Sequence, residues 1–174
     1  MKKQAVFLDR DGVLNFAIVK DELPYPPASV DEIEIPPGVT EGMKRLKEAG
    51  FVLIVVSNQP DVRRGVTPKA IVEEINYFLS KRMQVDRFIM CYHDSSDGCD
   101  CRKPRPGMLL AGAREFDIDL ASSYMVGDRW RDMEAGISAG CMTIFIDYGY
   151  KEKQPEYFDH KVNKFSDAVN IILK

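Results

Sequence analysis

The chain has 174 residues, 45% of them hydrophobic and 29% charged. This is the composition of a soluble globular protein, which excludes a disordered or fibrous chain and suits a single domain, 1–174, with a real core. A formal net charge of -3 gives no overall attraction to nucleic acid or to an anionic membrane, so any anion must be bound locally.

Lys2 and Lys3 precede an apolar segment too short for a signal peptide, and no run reaches membrane-spanning length, so a cytoplasmic location is expected. Thiols stay reduced there, and three of the four cysteines fall within 91–101. That clustering points to a metal before it points to disulfides.

Residues 5–8 form an apolar run suited to a buried strand, which ends at Asp9, Arg10, Asp11 and Gly12. Along an extended chain residues i and i+2 face one side, and after a turn Asp11 swings over Asp9; either way two carboxylates crowd together. Such crowding is relieved by a shared proton or by a hard cation such as magnesium. Taken alone, the same residues also read as an acidic strand exit in solvent. Residues 14–37 carry five prolines and predict an irregular loop packed over something.

A helix over 39–49 is closed by Gly50, and 51–56 reads as a central parallel strand that ends at Ser57, Asn58 and Gln59. Thr67 as N-cap and Pro68 at the first helical position open a second helix, which runs to about Arg82. A third strand is expected over 87–91, followed by a polar, cysteine-bearing loop over 92–106. Beyond it come a helix over 107–116, a strand over 124–127, a helix over 130–139 closed by Gly140, a strand over 142–146 and a last helix over 167–173. Cys141 reads as core, and His160 as a surface residue of the tail.

Strands alternating with helices imply an α/β fold, a doubly wound, mostly parallel sheet in which ligands bind beyond the carboxyl ends of the strands. The chemically loaded residues fall at four such ends: Asp9 and Asp11, Ser57 and Asn58, Cys91 and His93, and Asp128. Asp128 is expected to share a magnesium ion with Asp9 and Asp11, whereas Asp132, four residues on, suits a helix N-terminus. Asp9 can then attack phosphorus, with Asp11 as general acid and base. Ser57 can donate to the transferring phosphoryl group and Lys103 can clamp it. Arg102 can read another part of the substrate as a planar fork, with Asn58 and Arg129 as further substrate contacts.

Asp-x-Asp-Gly after a first strand, Ser-Asn-Gln after a second, a lysine before a proline, and Gly-Asp-x-x-x-Asp after a fourth together resemble the haloacid dehalogenase superfamily of phosphohydrolases. The resemblance spans about residues 4–147. It implies a magnesium-dependent phosphomonoesterase that works through an aspartyl phosphate, with the first aspartate as nucleophile and the second as acid and base. Within the superfamily the sequence resembles the branch of heptose 1,7-bisphosphate 7-phosphatases and histidinol-phosphate phosphatases, which is marked by a zinc loop. Cys91, His93, Cys99 and Cys101 would supply that zinc with a closed tetrahedral shell, structural rather than catalytic, just before Arg102 and Lys103.

The sequence departs from that branch in its longer, proline-rich segment 16–29, where Asp21, Glu22 and Tyr25 are the polar candidates, and in Pro60 after Gln59. No gap between strands has room for a separate cap domain, so loops must close the site. The expected partner is a small phosphorylated metabolite, most simply heptose bisphosphate, with histidinol phosphate or another sugar phosphate as the alternative. No nucleic acid or membrane partner is expected, and a monomer is. A zinc-stabilised binding module without activity is disfavoured by the presence of Asp9, Asp11, Ser57, Lys103 and Asp128.

Overall fold

The computed structural model describes residues 2–174. In chain order it contains β1 (Ala5–Leu8), β2 (Ile18–Lys20), β3 (Leu23–Tyr25), α1 (Val39–Glu48), β4 (Val52–Asn58), α2 (Lys69–Ser80), β5 (Arg87–Cys91), α3 (Gly107–Phe116), β6 (Tyr124–Gly127), α4 (Trp130–Ala139), β7 (Met142–Ile146), β8 (His160–Val162) and α5 (Phe165–Ile172). Six strands form one sheet in the order β5-β4-β1-β6-β7-β8, and every pairing is parallel. From β1 the chain winds one way to β4 and β5, then returns to the other side for β6, β7 and β8. The crevice of a doubly wound sheet opens where that direction reverses, above β1 and its neighbours.

The apolar runs are nearly continuous because both faces of the sheet are covered. Val6, Leu8, Leu53, Val55, Val126 and Ile144 pack on one face with Met43 and Leu46 of α1, Ile75 and Leu79 of α2, and Phe165 and Val169 of α5. Phe7, Val52, Ile54, Val56 and Met125 pack on the other with Met108 and Leu109 of α3 and Ala135 of α4. Alternate residues of one strand thus serve two cores. None of the described helices is long and apolar enough to cross a membrane.

Four local expectations are corrected. Within the segment expected to be irregular, β2 and β3 pair as an antiparallel hairpin. Its two turn residues, Asp21 and Glu22, both have positive φ, 51° and 62°, the geometry usually supplied by Asn-Gly. Residues 160–162 form an edge strand, so His160 sits half-buried in the sheet rather than on a free tail. The α2 helix begins at Lys69 with Pro68 in the cap position and no side-chain cap bond, one residue later than the Thr67-Pro68 pattern suggests. The last helix starts at Phe165, two residues early, because Phe165 is buried against α1. Cys141 is buried, as expected.

The packing of α1 on α5 depends on Gly42, where a Cβ would come within 2.9 Å of Phe165 and Val169 side-chain atoms. Gly42→Ala should therefore cost about 1–3 kcal/mol of folding stability through overpacking, despite the better helix propensity of alanine. Urea denaturation measures this, and unchanged or increased stability would show that α5 moves aside freely.

Candidate active site

The chain leaves β1 with the Asp9 N–H donating to the Val126 carbonyl at 3.0 Å, so Asp9 is fixed by the neighbouring strand. Gly12, at φ 94°, turns the chain tightly over Asp128; a Cβ there would lie 1.9 Å from Asp128 Oδ2, a contact only glycine avoids. Between them Arg10 points inward and is fully buried. Its Nε and Nη2 donate to the two oxygens of Asp11, each at 3.1 Å, and Nη1 donates to Asn76 Oδ1. Asp11 also accepts from Asn15 Nδ2 at 3.0 Å and from Gln59 Nε2 at 2.8 Å, and Gln59 Nε2 donates to Ser57 Oγ as well. The Asp11 carboxylate is thereby held in a fixed pose beside Ser57.

Asp9, Asp128 and Asp132 each offer an oxygen, and those atoms lie within 4.8 Å of one another. All three residues are buried. The only ammonium among them is that of Lys103, also buried, which reaches Asp9 Oδ1 at 3.0 Å, Asp132 Oδ1 at 2.6 Å and the Val56 carbonyl at 2.8 Å. Asp132 Oδ2 accepts the Arg129 N–H at 3.0 Å, and Gly127 makes room for that side chain.

This corrects two expectations. Asp132 is not merely a helix N-terminal acid but a member of the buried cluster, and the Asp11 side chain, expected to share a cation with Asp9 and Asp128, turns out of it. Arg10, Asn15 and Gln59 hold it elsewhere. The second aspartate of Gly-Asp-x-x-x-Asp was the available signal for Asp132.

Neither oxygen of Asp128 has a hydrogen-bond partner. The Tyr150 hydroxyl lies near enough to this carboxylate to favour its charged form. Burial, reinforced by Asp9 and Asp132, pushes the Asp128 carboxyl well above the ordinary carboxylate range. Asp9 is pushed up to about 7 by burial and by Asp132 and Asp11, against the pull of Lys103. Burial opposes the charged Lys103, yet Asp132 and Asp9 hold its pKa above the usual lysine value. Three clustered carboxylates, one ammonium and an orphaned pair of buried oxygens fit a hard divalent cation, which accepts oxygen ligands and relieves the repulsion.

Asn58, at the end of β4, clamps the Lys103 backbone: its Nδ2 donates to the Lys103 carbonyl and its Oδ1 accepts the Lys103 N–H, both at 3.0 Å. Arg102 donates to the His93 carbonyl at 3.3 Å. Just upstream, the ligating atoms of Cys91, His93, Cys99 and Cys101 converge. Their measured separations run from 3.1 Å (Cys91–Cys101) to 3.7 Å (Cys91–Cys99 and Cys91–His93), close to the roughly 3.8 Å edge of a tetrahedron with 2.3 Å metal–sulfur bonds. The set fits zinc. Gly107 lets α3 approach this loop, since a Cβ there would lie 2.2 Å from the Asp100 carbonyl oxygen.

A cavity of about 330 Å³ opens above the cluster, lined by Asp9, Asp11, Ser57, Asn58, Arg102, Lys103 and Arg129, and by Arg64, Arg131 and the hairpin residues Pro24 and Tyr25. The structure thus brings to one cavity eight of the residues singled out in the sequence, Tyr25 among them, while Asp128 is buried beside Asp9 and Asp132. Sequence reasoning missed Arg10, Asn15, Gln59, Asp132 and Arg131. It also missed Glu152, whose two oxygens accept from Arg129 Nε at 2.8 Å and from Nη2. Gln59 could have been found from Ser-Asn-Gln; Glu152 lies in a tail segment with no pattern.

The chain is similar to curated proteins of known name. It is 35% identical to the D-glycero-beta-D-manno-heptose-1,7-bisphosphate 7-phosphatase of Escherichia coli K12, across 98% of this chain and 94% of that one. The chain belongs to the haloacid dehalogenase superfamily, on its phosphatase branch. The enzyme of the same name from Bordetella bronchiseptica is 36% identical across 85% of this chain and 83% of its own. A crystal structure of D,D-heptose 1,7-bisphosphate phosphatase from B. bronchiseptica, complexed with magnesium and phosphate, superposes with a TM-score of 0.82 at 32% identity, covering 98% of both chains. A family model described as HAD-hydrolase-like matches residues 100–169. As a member of this superfamily the protein has the expected doubly wound sheet, with the β2–β3 hairpin lining one side of the cavity.

The raised carboxyls make this phosphatase's stability depend on pH in a distinctive direction. In the unfolded chain they ionise near pH 4, whereas in the metal-free fold Asp9 ionises at about 7 and Asp128 is also raised. Between these values the native state binds more protons than the unfolded one, so stability falls as pH rises through that window. The melting temperature of magnesium-free protein should drop between about pH 5 and about pH 7.5, and added magnesium should raise it more at the higher pH. Scanning calorimetry checks both signs, and a metal-free melting temperature that climbs across the window would refute the electrostatic account.

Proposed function

We propose that the protein hydrolyses a phosphate monoester through Asp9, with magnesium held by Asp9, Asp128 and Asp132, and that its substrate is D-glycero-D-manno-heptose 1,7-bisphosphate, cleaved at the 7-phosphate. The observation that carries the proposal is the buried trio of carboxylates with one orphaned member directly below a cavity rimmed by arginines. When bound, the cation supplies positive charge for the phosphoryl oxygens and lets Asp9 stay ionised beside its neighbours.

Asp9 has one oxygen engaged by Lys103 and by the Arg10 N–H; the other is the nucleophile. It attacks phosphorus, the ester P–O bond breaks, and Asp11 gives its proton to the departing oxygen. Water then attacks the phosphorus of the aspartyl phosphate and loses its proton to Asp11, which frees Asp9 and releases inorganic phosphate. Arg10, Asn15 and Gln59 keep Asp11 in position for both transfers. The Ser57 hydroxyl faces the transferring group as a donor, and the Lys103 ammonium, its three N–H groups directed to Asp9, Asp132 and the Val56 carbonyl, contributes positive charge beside it.

Asn58 acts on the substrate indirectly, through the Lys103 backbone. Arg102, Arg129, Arg64 and Arg131 line the same cavity, which favours a substrate with a second anionic group, and the names of the relatives at 33–36% identity point to heptose bisphosphate. Zinc at Cys91, His93, Cys99 and Cys101 would leave no position for water, so its part is to fix the loop that delivers Arg102 and Lys103. The free cysteines suit a reducing compartment, so we place the protein in the cytoplasm. We further propose that it works as a monomer.

A panel of phosphate esters tests the assignment: heptose bisphosphate should be turned over far faster than histidinol phosphate, and the reverse ranking would reassign the substrate. In the same assay Asp9→Asn should abolish phosphate release with the fold intact. Asp11→Asn should lower kcat about a hundredfold to ten-thousandfold, the range for a lost acid-base group. Substantial turnover by Asp9→Asn would remove it as nucleophile. Metal analysis of protein purified without chelator should find about one zinc per chain, and Cys101→Ser should lose that zinc together with much of the activity. Full activity in zinc-free protein would contradict the structural part given to the metal.

A further inference from the structure

The charges around the carboxylate cluster pair off with one exception. Arg10 is paired with Asp11, Lys103 with Asp9 and Asp132, and Arg129 with Glu152, while Asp128 has no cationic partner among the described residues and only the Tyr150 hydroxyl nearby. The cation best placed to fill that gap from within the protein is Arg129. It follows Asp128 in the chain, its N–H is anchored to Asp132, it is largely buried, and the charges of both Asp132 and Asp128 act on it. In a buried site such attraction is poorly screened. An arginine reaching Asp128 would satisfy the orphaned oxygens with a bidentate fork and occupy the place of a metal ion.

Glu152 instead holds the guanidinium. It arrives from the segment after β7, and its carboxylate takes Nε and Nη2 of Arg129 as a bidentate pair. Its own backbone is braced on both sides. The Lys151 N–H donates to the Glu22 carbonyl in the hairpin turn at 2.9 Å, and Lys153 lies over the Trp130 ring at 4.1 Å and bonds Glu134 at 2.8 Å. The carboxylate is therefore held in place before any ligand binds.

We infer that Glu152 is a positioning residue that holds the Arg129 guanidinium away from the Asp128 carboxylate and so keeps that carboxylate available to a divalent cation. The inference rests on the reading of Asp9, Asp128 and Asp132 as a magnesium site. Glu152 also leaves Arg129 three unused N–H groups for the substrate, so one contact both protects the metal site and presents a donor to the cavity.

The test is calorimetric titration of magnesium into magnesium-free, zinc-retaining protein, without substrate, as a double-mutant cycle. Glu152→Ala should weaken magnesium binding by about tenfold or more, whereas in an Arg129→Ala background the same change should alter it by less than about threefold. Glu152→Gln, which keeps the shape and loses the charge, should give a smaller loss of the same sign and replaces the alanine variant if that one unfolds. Unchanged magnesium affinity in both Glu152 variants overturns the inference alone. So does an equal loss with and without Arg129, which would mean that Glu152 acts by its own charge or by structure. No magnesium binding by the unsubstituted protein overturns the metal-site reading itself, and this inference with it.

Discussion

Three carboxylates and a single ammonium share one buried space at the carboxyl ends of β1 and β6, and most of the local architecture can be understood as a response to that crowding. Lys103 neutralises one charge, by touching Asp9 and Asp132 at once. The remaining excess falls on Asp128, which no cationic group among the described residues pairs with. Burying an ionised carboxylate without a partner is so costly that it either takes up a proton or recruits a cation. Both responses appear in the molecule: the raised carboxyls of the metal-free fold, and an oxygen-lined space fit for a divalent ion. A bound divalent cation would relieve the repulsion among these carboxylates.

Around this centre the protein spends glycines and backbone contacts to keep each group where it is. Gly12 and Gly127 leave room for Asp128 and Asp132 where any Cβ would collide. Asn58 grips the Lys103 backbone from the neighbouring strand end, while Asp9, Asp132 and the Val56 carbonyl hold its ammonium. Arg10, an arginine buried without any exposed surface, is used to fix Asp11 rather than to touch substrate. At one further remove the ligating atoms of Cys91, His93, Cys99 and Cys101 converge directly upstream of Arg102 and Lys103.

Selectivity is assigned to elements outside the sheet. The hairpin β2–β3 closes one wall of the cavity and is tied to the segment after β7 through Lys151 and Glu22. That same segment carries Tyr150 toward Asp128 and Glu152 onto Arg129. The hairpin, Arg129 and Asp128 are therefore joined through Tyr150, Lys151 and Glu152 of the tail.

The sequence alone determined the alternation of strands and helices, the strand ends at Asp9, Ser57, Cys91 and Asp128, and the chemistry those residue types can perform. These are local properties: apolar runs must be buried, and polar groups that interrupt them fall at the edges of the sheet. Spacing was also enough to gather the four zinc candidates, because they lie within eleven consecutive residues. The tertiary structure alone decided which carboxylates meet. Asp132 enters the cluster because α4 starts under Gly127, and Asp11 leaves it because Arg10, Asn15 and Gln59 draw it aside. Likewise the hairpin turn at Asp21 and Glu22, the edge strand β8 and the partnership of Glu152 with Arg129 depend on contacts between distant segments. Such contacts leave no periodicity in the chain, since a charge finds its partner through the fold and not through its neighbours in sequence.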